Sequence, residues 1–177
     1  MKRSPSFLAS VIMLIIVWSG SVLAGGSVSF LLPSGVQVEI VEMPFQRASF
    51  TVSGCDDHSA ACLINGHVPF GIDLGLPKTF VRRIRVSYQG HAYLLDSSNM
   101  YNAWGIRGLV AKGGIRYFGG KCFDTKNCQF RGVFSDAAGT FVAEWKIVDG
   151  VSIRTVLTNS SDVIDLFLKH IDPPEYE

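Results

Sequence analysis

An excess of charge is what this chain most clearly lacks. Its 16 lysines and arginines stand against 15 aspartates and glutamates, a formal +1. Removing residues 1–24, for the reasons given below, takes away Lys2 and Arg3 and no acid, which leaves −1. A near-neutral domain with interspersed signs gives no electrostatic footprint for nucleic acid. It offers no polybasic tether to an anionic membrane either. Arg82-Arg83-Ile84-Arg85 is the one dense basic spot, and it reads as the start of an exposed strand. The chain also lacks a Gly-x-Ser-x-Gly elbow, a His-Glu-x-x-His pair and a phosphate loop, so the common motif-bearing hydrolases and nucleotide-binding enzymes find no support. No internal repeat, low-complexity segment or linker divides it.

Long apolar runs are absent except at the start. Lys2 and Arg3 precede a charge-free apolar or small run from Phe7 to Trp18. Ser19-Gly20-Ser21 breaks it, and Val22-Leu23-Ala24 supplies the residues a signal peptidase reads. That basic, apolar, small-residue order predicts a cleaved signal peptide over 1–24 and one exported domain over 25–177, periplasmic or extracellular. The rival is an uncleaved anchor, since the charge-free stretch extends to Leu32. Serines and glycines dilute its second half and no basic cluster follows, so the flanks favour cleavage. A domain of that length buries roughly 70% of its unfolded surface and can build a core without cross-links.

Cysteine is scarce, with four in the chain: Cys55, Cys62, Cys122 and Cys128. An even count in an exported chain reads as a disulfide framework whose connectivity the sequence leaves open. The simplest solution is two local closures, Cys55–Cys62 and Cys122–Cys128. Each pins a polar loop and contributes on the order of 2 kcal/mol by chain entropy. A metal site from Cys55, His58 and Cys62 fits no zinc-module spacing, and an oxidising compartment disfavours thiolate ligands. No metal and no cofactor is expected.

The first half reads as strands. Residues 27–32 and 36–42 flank Pro33-Ser34-Gly35, and Val36, Val38, Ile40 and Glu42 share a face by period two. A short strand is expected over 47–53. The Gly54–Pro77 stretch is long for a connection, and long loops are commonly functional. Residues 80–96 read as a hairpin about Gln89-Gly90 that pairs Val86 with Tyr93 and Ile84 with Leu95. Asp96-Ser97-Ser98 then offers an N-cap for a helical turn over 99–104. Strands are expected over 115–122 and 128–135, with 136–139 as a turn.

A second hairpin joins 140–147 to 151–158. A two-residue Asp149-Gly150 loop sets Trp145 opposite Arg154. A three-residue loop, Val148-Asp149-Gly150, sets Trp145 opposite Ile153 and Glu144 opposite Arg154. Only the second register separates apolar from charged faces, and a one-residue slip exchanges them, so the second is expected. The chain closes with a helix capped by Ser160 or Ser161. Val163, Ile164, Phe167, Leu168 and Ile171 make its apolar stripe, and Lys169 and His170 stand in its last turn. The expected fold class is α+β, mainly β: a single domain with an antiparallel curled sheet of about seven or eight strands and the C-terminal amphipathic helix packed on it.

Chemistry-bearing residues are thinly spread. Histidine occurs at 58, 67, 91 and 170 only. His58 and His67 share the long loop with Asp56, Asp57 and Asp73, the one place where imidazoles and acids crowd in sequence. Such loops ordinarily hold polar surface residues. The pairs Gly113-Gly114 and Gly119-Gly120 suggest a bulge or a close backbone approach rather than a ligand cradle. Asn159-Ser160-Ser161 matches the glycosylation acceptor pattern. Among the aromatics Tyr101, Trp104, Tyr117, Phe118 and Phe123, most are expected in the core. Tyr101 and Trp104, with Arg107 beside them, are the expected exposed anchors for a partner. The pattern fits a non-catalytic exported protein that binds another protein, of the inhibitor or immunity type that blocks a toxin or lytic enzyme. A small exported hydrolase with its site in the Gly54–Pro77 loop is the alternative, and a structural envelope component a third.

Overall fold

The structure is a computed structural model that describes residues 26–55, 62–103, 114–135 and 137–173. The segment expected to be a signal peptide therefore lies outside the described residues. Ten strands and one α-helix follow in chain order: β1 Gly26–Leu31, β2 Gln37–Pro44, β3 Val52–Ser53, β4 Leu63–Ile64, β5 Thr79–Tyr88, β6 His91–Leu95, β7 Phe118–Cys122, β8 Cys128–Phe134, β9 Phe141–Val148, β10 Val151–Thr158 and α1 Ser161–Lys169. The class is mainly β with a C-terminal helix, as the sequence predicts. The single curled sheet is instead two four-stranded antiparallel sheets, ordered β1-β2-β5-β6 and β10-β9-β8-β7, with a β3-β4 ribbon beside them.

Alternation explains the shared core. Val36, Val38 and Ile40 on the β2 side, with Ile84 and Val86 on β5, point inward from the first sheet. Phe118, Phe130, Phe134, Phe141, Ala143 and Trp145 meet them from the second. The sheets curl toward each other at both ends. Phe30 of β1 lies 4.9 Å from Phe118 of β7, ring to ring. At the other seam β6 approaches β10, and Trp145 Nε1 donates to the Asp96 carbonyl at 2.9 Å.

Helix α1 covers part of the outer face of the second sheet. Phe167 is buried against Val133 and Val142, with Val163, Ile164 and Ile171 around it. Beneath it the buried Arg131 guanidinium donates to Glu144 and to the His170 carbonyl, and stacks 4.8 Å above the Phe167 ring. A Cβ at Gly119 of β7 would collide with the Ile171 carbonyl, so glycine there lets the chain after α1 lie against the sheet. Leu168 is exposed and leaves the expected stripe. Ser160 is the N-cap residue, but its hydroxyl makes no capping bond.

Both hairpins turn at the expected dipeptides. Gln89-Gly90 and Asp149-Gly150 have positive φ at both central residues, which matches the twist of paired strands. Val86 pairs with Tyr93 and Ile84 with Leu95, as expected. The β9–β10 register is the two-residue one, with Trp145 opposite Arg154 and Ile153 opposite Lys146. The expected three-residue register is therefore corrected. Its premise was one apolar and one solvated face, whereas β9 is buried on both sides over Phe141–Trp145, by the core within and α1 without. The expected helical turn over 99–104 is also corrected as far as it is described. Met100 bridges Phe70 and Tyr101 bridges Phe80 in extended pairing, with Asn99 and Asn102 at positive φ. Over 47–53 a 3-10 turn, Arg47–Ser49, replaces the start of the expected strand, of which Val52–Ser53 is extended and paired, and another, Gly114–Tyr117, replaces the start of the one at 115.

Candidate functional site

Both disulfides are the local ones, Cys55–Cys62 and Cys122–Cys128. The second closes the connection from β7 to β8, and its loop is braced from within. The Asp124 carboxylate accepts the Lys126 N–H at 2.6 Å, the Asn127 N–H at 2.8 Å and the Asn127 side-chain amide at 2.8 Å. These bonds favour the charged form, the Asn127 amide most and the Lys126 N–H next, and hold Asp124 below the ordinary carboxylate range. Neighbouring turns brace the loop from outside. Gly150 N–H donates to the Lys126 carbonyl at 2.9 Å, Asp149 N–H donates to Asn127 Oδ1 at 3.1 Å, and the Tyr93 hydroxyl donates to the Thr125 carbonyl.

On this frame Phe123 is 57% exposed, with Lys121 Nζ 5.7 Å from its ring centre. Strand register gives its neighbours. Lys121 pairs with Gln129, Gln129 with Lys146 and Lys146 with Ile153, so these four form one row on the outer face of the second sheet. Alternation adds Val148 and Val151, a directly opposed pair. Helix α1 covers the rows farther along the sheet and leaves this end bare among the described residues. Val148, Val151 and Ile153 are exposed, Val151 by 62%. Gln129 is only 8% exposed, yet its Oε1 has no partner. The result is a rigid apolar end with lysines at its edge and a buried acceptor beneath. Such a surface loses little conformational freedom when another surface covers it.

The expected anchors fare differently. Tyr101 is 4% exposed, its ring edge-on to Phe45 at 6.0 Å and to Phe50 at 6.4 Å, and burial raises its phenol pKa. It belongs to a second small core under the β3–β4 ribbon and does not project, because extended pairing with Phe80 turns its side chain inward. Trp104 and Arg107 lie outside the described residues, as do Asp56, Asp57 and His58. Sequence reading assigned the aromatic cluster mostly to the core and so passed over Phe123. Its signal was its place inside a short cysteine loop of otherwise polar residues.

Within the Gly54–Pro77 segment, Asn65 and His67 border a cleft of about 410 Å³. His67 lines it with Arg82, Asp96, Ser97, Ser98 and Tyr101. Asp73 and His91 are exposed elsewhere. Among the described residues no three His, Cys, Asp or Glu side chains gather in a way that would hold a metal ion. No described helix is long and apolar enough to cross a membrane. Comparisons with family models, with curated proteins and with solved structures give no match.

Proposed function

We propose that this chain is an exported protein-binding protein of the inhibitor or immunity type, and that it docks through the braced Cys122–Cys128 loop. The observation that carries this reading is Phe123: a large apolar ring held in solvent on a loop with a disulfide, an internal carboxylate clamp and three outside braces. Exposed aromatic groups on rigid loops supply contact area at low entropic cost, and they dominate binding energy when buried at an interface centre. Val148, Val151 and Ile153 extend the apolar area, and Lys121 and Lys146 would form its polar rim. The disulfides fit an oxidising compartment, and the amino-terminal pattern supports export there. The partner class is an exported toxin or lytic enzyme.

The experiment places a photo-crosslinking amino acid at position 123 in exported protein and identifies the protein it captures. Affinity for that protein is then measured for wild type, Phe123→Ser and Val151→Ser, together with the effect of each on the partner's enzymatic activity. Weakening by about thirtyfold on Phe123→Ser, the scale of a central aromatic anchor, supports the reading. Affinity unchanged in both variants rejects the loop as the docking site.

A further inference from the structure

The cleft beside the β3–β4 ribbon lies apart from Phe123, and its key residue is placed by a defect in a strand. Val41 pairs with Arg83 but Glu42 pairs with Val81, which makes Arg82 the extra residue of a bulge in β5. A bulge re-aims a side chain. Here it keeps Val81 and Ile84 both in the core while Arg82 and Arg83 both reach solvent. Arg83 is engaged by Glu39 at 2.7 Å. Arg82 has no hydrogen-bond or ion-pair partner among the described residues, and it lines the cleft.

Both walls are held. On one side Asn65 Oδ1 accepts the Thr51 N–H at 2.9 Å, His67 N–H donates to the Ile64 carbonyl at 3.1 Å, and the Cys55–Cys62 disulfide ties the ribbon. On the other, Arg154 donates to the Ser98 carbonyl at 2.7 Å and to Ser98 Oγ at 3.2 Å. Because Ser98 Oγ accepts there, its own hydrogen is left to donate elsewhere. The one lining acid, Asp96, already accepts the Ser98 N–H at 2.9 Å and meets Arg154 at 3.1 Å. The uncompensated charge in the cleft is therefore that of Arg82. The His67 imidazole and the Ser97 and Ser98 hydroxyls line the same cleft, and the half-buried Phe50 and Phe80 rings supply its apolar lining. Its volume of about 410 Å³ lies in the range of small-ligand sites.

We propose that this cleft binds a carboxylate joined to a flat apolar group, with the Arg82 guanidinium forking the carboxylate and the aromatic lining taking the body. The planar fork of arginine matches a carboxylate with two parallel hydrogen bonds. Ser97, Ser98 and His67 donate to the remaining lone pairs. The ligand is either a free aryl carboxylate or an acidic side chain beside an aromatic one on another protein.

The test is amide-resolved NMR titration of the whole exported domain with phenylacetate, its neutral amide, and the capped dipeptides acetyl-Glu-Phe-amide and acetyl-Gln-Phe-amide. Saturable shifts at residues 82 and 96–101 are expected with the two carboxylates, and weaker ones with the neutral pair. Arg82→Gln should weaken binding at least about tenfold, the scale of a charge-assisted pair. Arg82→Lys, which keeps the charge but not the fork, should fall between. Arg85→Gln, on the same strand but off the cleft, should bind as wild type. Tighter binding of the dipeptide than of phenylacetate identifies a protein side chain as the ligand, and the reverse order identifies a free acid. The proposal is overturned if neither carboxylate gives saturable shifts up to about 10 mM. It is overturned equally by neutral and charged probes binding alike, or by folded Arg82→Gln and Arg82→Lys binding as wild type.

Discussion

Arg154, on β10 of the second sheet, meets Asp96, just beyond β6 of the first, at 3.1 Å. The pair spans the seam where the two sheets come together without a strand ladder. Its surroundings add to it, since Trp145, opposite Arg154 in register, donates its indole N–H to the Asp96 carbonyl. Burial lowers the Arg154 pKa and the Asp96 charge partly restores it. Arg154→Leu strands the Ser98 carbonyl and the Asp96 charge together, and is expected to cost about 1–3 kcal/mol in urea unfolding. Asp96 is half exposed, so Asp96→Asn is expected to cost about 1 kcal/mol or less. Equal costs for the two would mean the seam is held by charge alone and not by the Ser98 contacts.

The Asp124 clamp gives a pH dependence with a definite sign. Its folded pKa lies below the unfolded value of about 3.9. The loop's contribution is thus complete above that value and is lost as pH falls through the folded pKa. Carboxyl-detected NMR titration should show Asp124 titrating below the ordinary value of an aspartate. Asp124→Asn should flatten the acid limb of stability while leaving the neutral-pH fold intact. An ordinary titration at Asp124 would mean that the Lys126 and Asn127 bonds do not persist in solution.

Arg131 and Glu144 are a buried pair under α1, with Thr155 Oγ1 donating to Glu144 Oε1 at 3.0 Å. Removing one partner of such a pair leaves an uncompensated buried charge and costs about 3–5 kcal/mol. Arg131→Met and Glu144→Leu are each expected in that range. The double variant should be less destabilised than the sum, by 1 kcal/mol or more on the scale of contacting residues (about 0.5–3 kcal/mol). Because Arg131 also holds the His170 carbonyl and stacks on Phe167, amide exchange over 163–169 should speed up most in variants lacking Arg131. Additive single costs would show that the two side chains act independently.

What the sequence made legible is what local chemistry decides. Asp149-Gly150 marks its turn because few dipeptides take positive φ twice, whereas Gln89-Gly90 is marked by its glycine and by the flanking apolar alternation, glutamine being a poorer residue for the first position. The short cysteine spacings favoured local pairs, and the 3.6-residue pattern of 161–169 marked a helix. What failed needed knowledge of the other layer. The β9–β10 register was inferred from a supposed solvated face, and α1 covers that face, so Glu144 finds Arg131 rather than Arg154. The bulge at Arg82 has no local marker. It arises because Val81 and Ile84 must both reach the core.

Tyr101 and Phe123 exchange the roles that composition alone suggested, and this yields the sharpest contrast. Tyr101 is enclosed by Phe45, Phe50 and Phe80, so Tyr101→Ala removes a buried ring and should cost about 3–5 kcal/mol of stability. Phe123 is exposed on a loop whose conformation is set by backbone and carboxylate bonds, not by its ring. Phe123→Ser should therefore shift stability by no more than about 0.5 kcal/mol, the usual scale for a surface change. Chemical denaturation of the two variants, with intact disulfides, makes the comparison. A large loss on Phe123→Ser would mean that its ring organises the loop. The apolar end formed with Val148 and Val151 would then be part of the fold and not a surface kept for a partner.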